Sequence, residues 1–213
     1  IDVRPDHPKR DELTGLLEEV AASSGKLRCE VRDGNDFIFT ILRDGVPSSI
    51  IFRAVPTGHE FTTLLLAILN MDGKGKNLPD EAITRQIRSL KVPVHIQSFI
   101  SLTCTNCPDV VQSLNVMAIL NPEIRHEIID GALYQQEAAS KNIQAVPSVF
   151  VNGELLHVGR AELGELLSKI VEKTGANITL ATGETKKYDV IVAGGGPAGA
   201  TAAIYSARKG LKV

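Results

Sequence analysis

At 213 residues, with 43% hydrophobic and 23% charged side chains, the chain has the composition of a globular protein with room for one large domain or two small ones. A net charge of −2 gives no basic surface for nucleic acid or an anionic membrane, and no apolar run approaches the roughly 20 residues of a membrane helix. Three cysteines, an odd and low number, argue against a secreted disulfide scaffold and point to a cytoplasmic protein with one catalytic pair and a spare thiol, Cys29.

In chain order, residues 1–9 are polar, hold two prolines and read as loose, and no charged-then-apolar signal segment opens the chain. Residues 11–24 read as a helix with Leu13, Leu16, Leu17 and Val20 on one face. Strands are expected over 27–31, where Cys29 is a small core residue, over 37–42 and, after the Asp44-Gly45 turn, over 49–53. Gly58-His59-Glu60 opens an apolar helix over 61–71, with Glu60 a favoured first-turn acid. Residues 72–77 form a loop that exposes Lys74 and Lys76, and a helix over 79–90 presents Arg85 and Arg88 to solvent.

The second half reads strand 94–100, Cys104-Thr105-Asn106-Cys107, helix 107–120, strand 124–130 and helix 133–142. A hairpin follows about Asn152-Gly153, then a helix over 161–173. The βα crossovers require parallel pairing and the hairpin antiparallel pairing, so a mixed sheet with helices on both faces is expected. The halves share a faint pattern of strand, turn, strand, glycine and helix, as a degenerate repeat would. Residues 175–187 read as a linker, residues 188–193 as a buried strand, and residues 200–209 as an alanine-rich helix, with a second strand starting at Gly210. The chain starts at Ile1 and stops in mid-pattern at Val213, so it is expected to be a fragment.

Strand, Cys-x-x-Cys, helix is the arrangement of a dithiol oxidised and reduced in turn. Free N–H groups at the helix start stabilise a thiolate, and the thiolate is the attacking species. Cys104, on the loop side, is expected to be the nucleophile, and Cys107, further in, to resolve the mixed disulfide. The other readings are a structural disulfide or a metal knuckle, but the five histidines are scattered singly and supply no second ligand pair. Pro147 stands just before the hairpin, either as an ordinary trans proline at a strand start or, as the dithiol and the element order favour, as the cis proline that thioredoxin-like domains place against the dithiol. Gly194, Gly196 and Gly199 form G-x-G-x-x-G between an expected strand and a helix, the context of a dinucleotide-binding loop. His59 and Glu60 fit simple helix capping or, if the halves pack together, a proton carrier beside the dithiol.

Taken together, Gly58-His59-Glu60-Phe61-Thr62, the segment from Thr103 through Gln112, Val146-Pro147-Ser148 with its hairpin, and the glycine loop with Ala203-Ile204-Tyr205-Ser206-Ala207-Arg208 resemble the flavoprotein subunit of bacterial alkyl hydroperoxide reductases, the reductases of peroxiredoxins. The resemblance implies an α/β chain of two tandem thioredoxin-like folds sharing a mixed sheet, 1–90 without a dithiol and 91–174 with one. A linker, 175–187, would lead to the first βα unit of a Rossmann-type FAD-binding domain, 188–213. It also implies FAD and NADH as cofactors of a homodimeric complete protein. Electrons would pass from a flavin and nicotinamide module through Cys104 and Cys107 to a peroxiredoxin disulfide, with Glu60 matching a glutamate placed near the dithiol. As it stands the sequence could exchange thiols, would bind no cofactor by itself, and could not draw electrons from NADH. A general protein-disulfide reductase, a glutaredoxin-like protein and a non-catalytic docking module are the rival readings.

Overall fold

The computed structural model describes residues 1–176 and 187–213, which fall into two compact units, Ile1–Thr179 and Leu180–Val213. Ten residues of the expected linker, 177–186, lie outside the described residues. No described helix is long and apolar enough to cross a membrane.

The first unit is built on an eight-stranded mixed sheet. Its strands are β1 (Asp2–Val3), β2 (Arg32–Asp33), β3 (Phe37–Arg43), β4 (Val46–Arg53), β5 (Val94–Ile100), β6 (Ile124–Asp130), β7 (Ser148–Val151) and β8 (Glu154–Val158), in the order β2-β1-β3-β4-β6-β5-β7-β8. The pairing of β1 to β4 is repeated in β5 to β8. In each set the first two strands are parallel, and the first and third, and third and fourth, are antiparallel. The sets join edge to edge through parallel pairing of β4 with β6. Both hairpins turn on the same chemistry: Asp44-Gly45 and Asn152-Gly153 have positive φ at both residues, as the tightest two-residue hairpin turns require.

Helices α1 (Arg10–Ala22), α2 (Phe61–Asn70), α3 (Glu81–Ser89), α4 (Cys107–Leu120), α5 (Gln135–Ser140) and α6 (Leu163–Thr174) complete the unit. One core cluster joins Leu13 of α1, Leu64 of α2, Ile87 of α3, Leu114 of α4 and Leu166 of α6 to Ile50, Ile96 and Ile128 of the sheet. Across the sheet, Phe99, Ile129 and Phe150 form a smaller cluster with Ala138 of α5. Helices therefore lie on both faces, as expected. Helix α4 buries nine of its 14 residues, the pattern of a helix packed on several sides at once.

Several segments of the first unit differ from the sequence reading. The N-terminal residues are not loose, because β1 pairs with β3 and Val3 is wholly buried. Residues 27–31 are not a strand. The neighbour on that edge, β1, is two residues long, so it supports only the two pairs to Arg32 and Asp33. Cys29 accordingly lies outside the sheet and half-buried. The expected helix 133–142 shrinks to α5, since Leu133 and Tyr134 turn back to donate to the Asp130 carbonyl.

In the second unit α7 (Pro197–Arg208) follows the glycine loop as expected, but residues 188–193 are not a strand. A buried parallel strand needs ladder partners and cover on both faces. Among the described residues only the Lys212 carbonyl accepts, from Asp189 and Val190, and Ile191 is 84% exposed. Residues 210–213 are likewise unassigned to strand.

Candidate active site

The dithiol sits where β5 ends and α4 begins. Apolar alternation along β5 carries the chain into the core as far as Ile100, and Cys107 is the first residue of α4. Pro108 follows in the first turn, where a missing N–H removes no helix bond. The loop closes on itself, with the Cys104 amide donating to the Ser101 carbonyl at 3.0 Å. Both cysteines are free thiols. They differ in environment: Cys104 is half-buried at the loop, and Cys107 is completely buried beneath it.

Burial pushes the Cys107 thiol well above its ordinary pKa, and the neighbouring Cys104 thiol and the Glu60 charge push it the same way. That environment favours the protonated thiol over the thiolate.

The Val146–Pro147 bond is cis, and the Val146 carbonyl is 3.7 Å from Cys104 Sγ, within hydrogen-bonding range for sulfur. The proline segment thus caps the more accessible sulfur with a backbone acceptor, and β7 begins at the next residue.

The third component comes from the other half of the sheet. Gly58, His59 and Glu60 form a single 3-10 turn leading into α2. This turn stands against the dithiol loop: the His59 amide donates to the Leu102 carbonyl at 3.4 Å, and a Cβ on Gly58 would lie 2.7 Å from that oxygen. Gly58 also has φ +56, so both its conformation and its contact select glycine. The approach buries Glu60 to 1% exposure, and neither carboxylate oxygen has hydrogen-bond geometry to a described protein group. Burial raises its pKa to about 7, only partly offset by the nearby Thr63 side chain. An unpartnered buried carboxyl with that pKa can hold or release a proton near neutral pH. The structure therefore brings together Cys104, Cys107, Pro147 and Glu60.

Behind the site lies a group that sequence reasoning missed. His126, fully buried on β6, accepts from the Ser98 hydroxyl of β5 through Nε2 and donates from Nδ1 to Asn115 Oδ1 of α4, each at 2.8 Å. Burial first, then the His95 charge, lowers its pKa to about 3, so it is neutral and ties the dithiol helix to the two central strands. The alternation Ile124, His126, Ile128 is a usable signal: it places the ring on a core face, where it must find partners.

The glycine loop is in the second unit. Gly194 has φ +116, and a Cβ on Gly199 would stand 2.0 Å from the Gly194 carbonyl oxygen. Gly196 is the N-cap of α7 and has no side chain to satisfy the first N–H groups. Donor-bearing helix start and close backbone approach are both what a pyrophosphate requires, so the residues fit that group.

A family profile described as "Thioredoxin domain" matches residues 94–172, so the dithiol half has a thioredoxin-like α/β fold. The chain is homologous to proteins named as the F subunit of alkyl hydroperoxide reductase. It is 45% identical to that of Pseudomonas putida over 210 residues, 97% of this chain and 40% of the relative. It is 43% identical to that of Staphylococcus aureus over 206 residues, 96% of this chain and 39% of the relative. A Bacillus subtilis protein named NADH dehydrogenase is 44% identical over 94% of this chain and 39% of its own length. The chain thus spans about two fifths of the curated relatives it matches. Among solved structures, the N-terminal domain of the Enterococcus faecalis alkylhydroperoxide reductase AhpF superposes with a TM-score of 0.73 at 27% identity, covering 79% of this chain and 87% of that one. A protein disulfide oxidoreductase from Aeropyrum pernix shares the fold at a TM-score of 0.69 and 20% identity, covering 79% and 81%.

Proposed function

We propose that this homologue of the N-terminal part of the alkyl hydroperoxide reductase flavoprotein is the dithiol station of a peroxiredoxin reductase, receiving electrons from a flavin and nicotinamide module and passing them to a peroxiredoxin disulfide. The observation that carries the reading is the asymmetry of the dithiol: one half-buried sulfur beside cis-Pro147, and one fully buried sulfur within electrostatic reach of an unpartnered carboxyl. The repeated strand pairing supports two tandem thioredoxin-like folds, 1–90 and 91–174, of which only the second has a Cys-x-x-Cys. The pattern of cysteine use supports a cytoplasmic setting.

In the exchange, the Cys104 thiolate attacks one sulfur of the client disulfide, forming a mixed disulfide and releasing the first client thiolate. Glu60, as carboxylate, then takes the Cys107 proton. The Cys107 thiolate attacks Cys104 Sγ, the mixed disulfide breaks, and the second client thiolate leaves. Two electrons have moved to the client; Cys104–Cys107 is oxidised, and the proton on Glu60 is available to the departing thiolate. Recharging is the reverse process with a reduced dithiol of the flavin module. Gly194, Gly196 and Gly199 would hold the FAD pyrophosphate in the complete protein. When bound, FAD supplies the hydride-accepting chemistry that turns NADH into a dithiol reductant.

The test is reconstitution with the flavin module, NADH and a peroxiredoxin. Peroxide-dependent NADH oxidation is expected with the wild-type chain and none above background with Cys104→Ser. Equal consumption by the two chains would overturn the proposal.

A further inference from the structure

Glu60 is buried without a hydrogen-bond partner, yet the exchange above requires it to carry a charge. A buried carboxylate needs donors when it forms. The surrounding elements offer few. Helix α2 (FTTLLLAILN) has no charged residue. Helix α4 turns the Cys107 thiol toward Glu60, with the Cys104 thiol beside it, and neither is a cation. The other charge of α4, Asp109, is exposed and pairs with Arg160 at 3.4 Å. His59, in the same turn as Glu60, is exposed. Among the described residues, the group that counters the burial of Glu60 is the Thr63 side chain.

Thr63 lies three residues on, about one helical turn along α2, and is wholly buried. Its hydroxyl oxygen accepts from Gln112 Nε2 of α4 at 3.4 Å. That bond has a direction. An amide N–H can only donate, so it takes a lone pair of the hydroxyl oxygen and leaves the hydroxyl proton free. Among the described residues the hydroxyl has no other partner. Gln112 is five residues beyond Cys107 on the same helix, so the dithiol helix itself holds the donor.

We propose that Thr63 and Gln112 are positioning residues for Glu60: Gln112 turns the Thr63 hydroxyl so that its proton meets the Glu60 carboxylate as that carboxylate forms. This rests on the reading of Glu60 as the base that takes the Cys107 proton. The hydroxyl proton stabilises the carboxylate, which can accept a proton, more than the carboxyl that has already accepted one. A contact of 3.4 Å is long for N–H···O, as hydrogen bonds around a catalytic group commonly are before the charge they serve exists. The chain of donors also crosses the halves of the sheet: the base and the hydroxyl come from the first half, the amide and the thiol from the second.

Two pH titrations test this on the reduced chain. One follows the Glu60 carboxyl carbon by NMR, assigned with Glu60→Gln. The other follows resolution of the mixed disulfide that Cys104 forms with the small disulfide DTNB, which needs no protein client. Thr63→Val removes the hydroxyl at nearly constant volume. Both midpoints are expected to rise from about 7 in the wild type by about one to two pH units, the effect of losing a hydrogen bond to a charged group. Thr63→Ser keeps the hydroxyl and is expected to return both midpoints to the wild-type value, which a packing role would not do. Gln112→Met, at a partly exposed position, is expected to raise both by less. Unchanged midpoints in Thr63→Val would overturn the positioning role and leave Glu60 as the base. So would a fall in Gln112→Met, because the amide would then be accepting from Thr63 and drawing its proton away from Glu60. If wild type and Glu60→Gln resolve the mixed disulfide with the same pH profile, Glu60 is not the base, and the positioning role is removed with it.

Discussion

The two halves of the sheet have the same pairing pattern and different chemistry, and the difference is concentrated at one helix start. In the second half β5 and β6 are seven residues each, α4 opens on Cys107, and the cis Val146–Pro147 segment meets Cys104. In the first half β1 and β2 have two residues each, and α1 opens on Arg10, which donates to the Val3 carbonyl and to Asp33. Where the second half has Pro147 immediately before β7, the first has Asp36 immediately before β3, and its carbonyl accepts from the Arg4 amide. The first half has closed its helix start with local polar contacts. It meets the dithiol half at its far end, where Gly58 to Glu60 reach the other half's dithiol loop.

The largest way to break the comparison is to remove what holds the longer half together. At the ninth position of α4 stands buried Asn115, bonded to His126; at the ninth position of α1 stands exposed Glu18. His126→Ala would leave Asn115 and the Ser98 hydroxyl without partners and open a cavity under the dithiol helix. It is expected to cost about 3–5 kcal/mol, read from urea unfolding. The wild type should also show the acid signature of a neutral buried histidine. Its native pKa, about 3, lies below the unfolded value of 6.5, so the unfolded chain binds more protons between them. The stabilisation is complete above pH 6.5 and is lost as the pH falls toward 3, by on the order of 5 kcal/mol, and His126→Ala should flatten that slope. An unchanged slope would mean that His126 is not the titrating group.

Glu60 is what the first half lends to the second, and replacing it separates stability from chemistry. Its native pKa of about 7 exceeds the ordinary value of 4.5, so the native state holds the extra proton between these values. Stability is greatest below 4.5 and declines as the pH rises to 7, because the buried carboxylate is unpaired. Glu60→Gln should therefore be up to about 3 kcal/mol more stable than the wild type at about pH 8 and nearly equal at about pH 4. It should also slow resolution of a mixed disulfide on Cys104 and remove the inflection near pH 7 from that step. Greater stability without any kinetic loss would reduce Glu60 to a buried capping residue.

The second half is legible in sequence because its signals are local and strong. Alternation in β5, Cys-x-x-Cys at a helix start, Pro147 and Asn152-Gly153 each constrain the backbone within a few residues. The first half is less legible because its first two strands are held by pairing rather than by their own pattern: Val3 is buried through β3, and the Arg32 amide donates to the Ile1 carbonyl. The same cause explains the strand expected at 188–193, whose apolar run has the right composition and, among the described residues, only the Lys212 carbonyl for backbone partner. Glu60 can be named from the resemblance, but not its burial or its lack of partners, which arise from Gly58 meeting Leu102 across the sheet halves. His126 escapes a reading that weighs singly scattered histidines as ligands and not as core residues.

The smallest expected effect is the sharpest control on the comparison. Arg10 occupies, in the first half, the helix-start position that Cys107 holds in the second, and its two partners are the Val3 carbonyl at 2.9 Å and Asp33 at 2.8 Å. The Asp33 side chain is 70% exposed, so the ion pair is screened, and the bond to the strand carbonyl supplies most of the effect. Arg10→Ala should lower stability by about 1 kcal/mol and leave the rate of thiol exchange at Cys104 within twofold of wild type. The first-half helix start is then structurally equivalent to the dithiol position and chemically silent. A larger change in exchange rate would mean that the start of α1 still communicates with α4, and that the silence of the first half is incomplete.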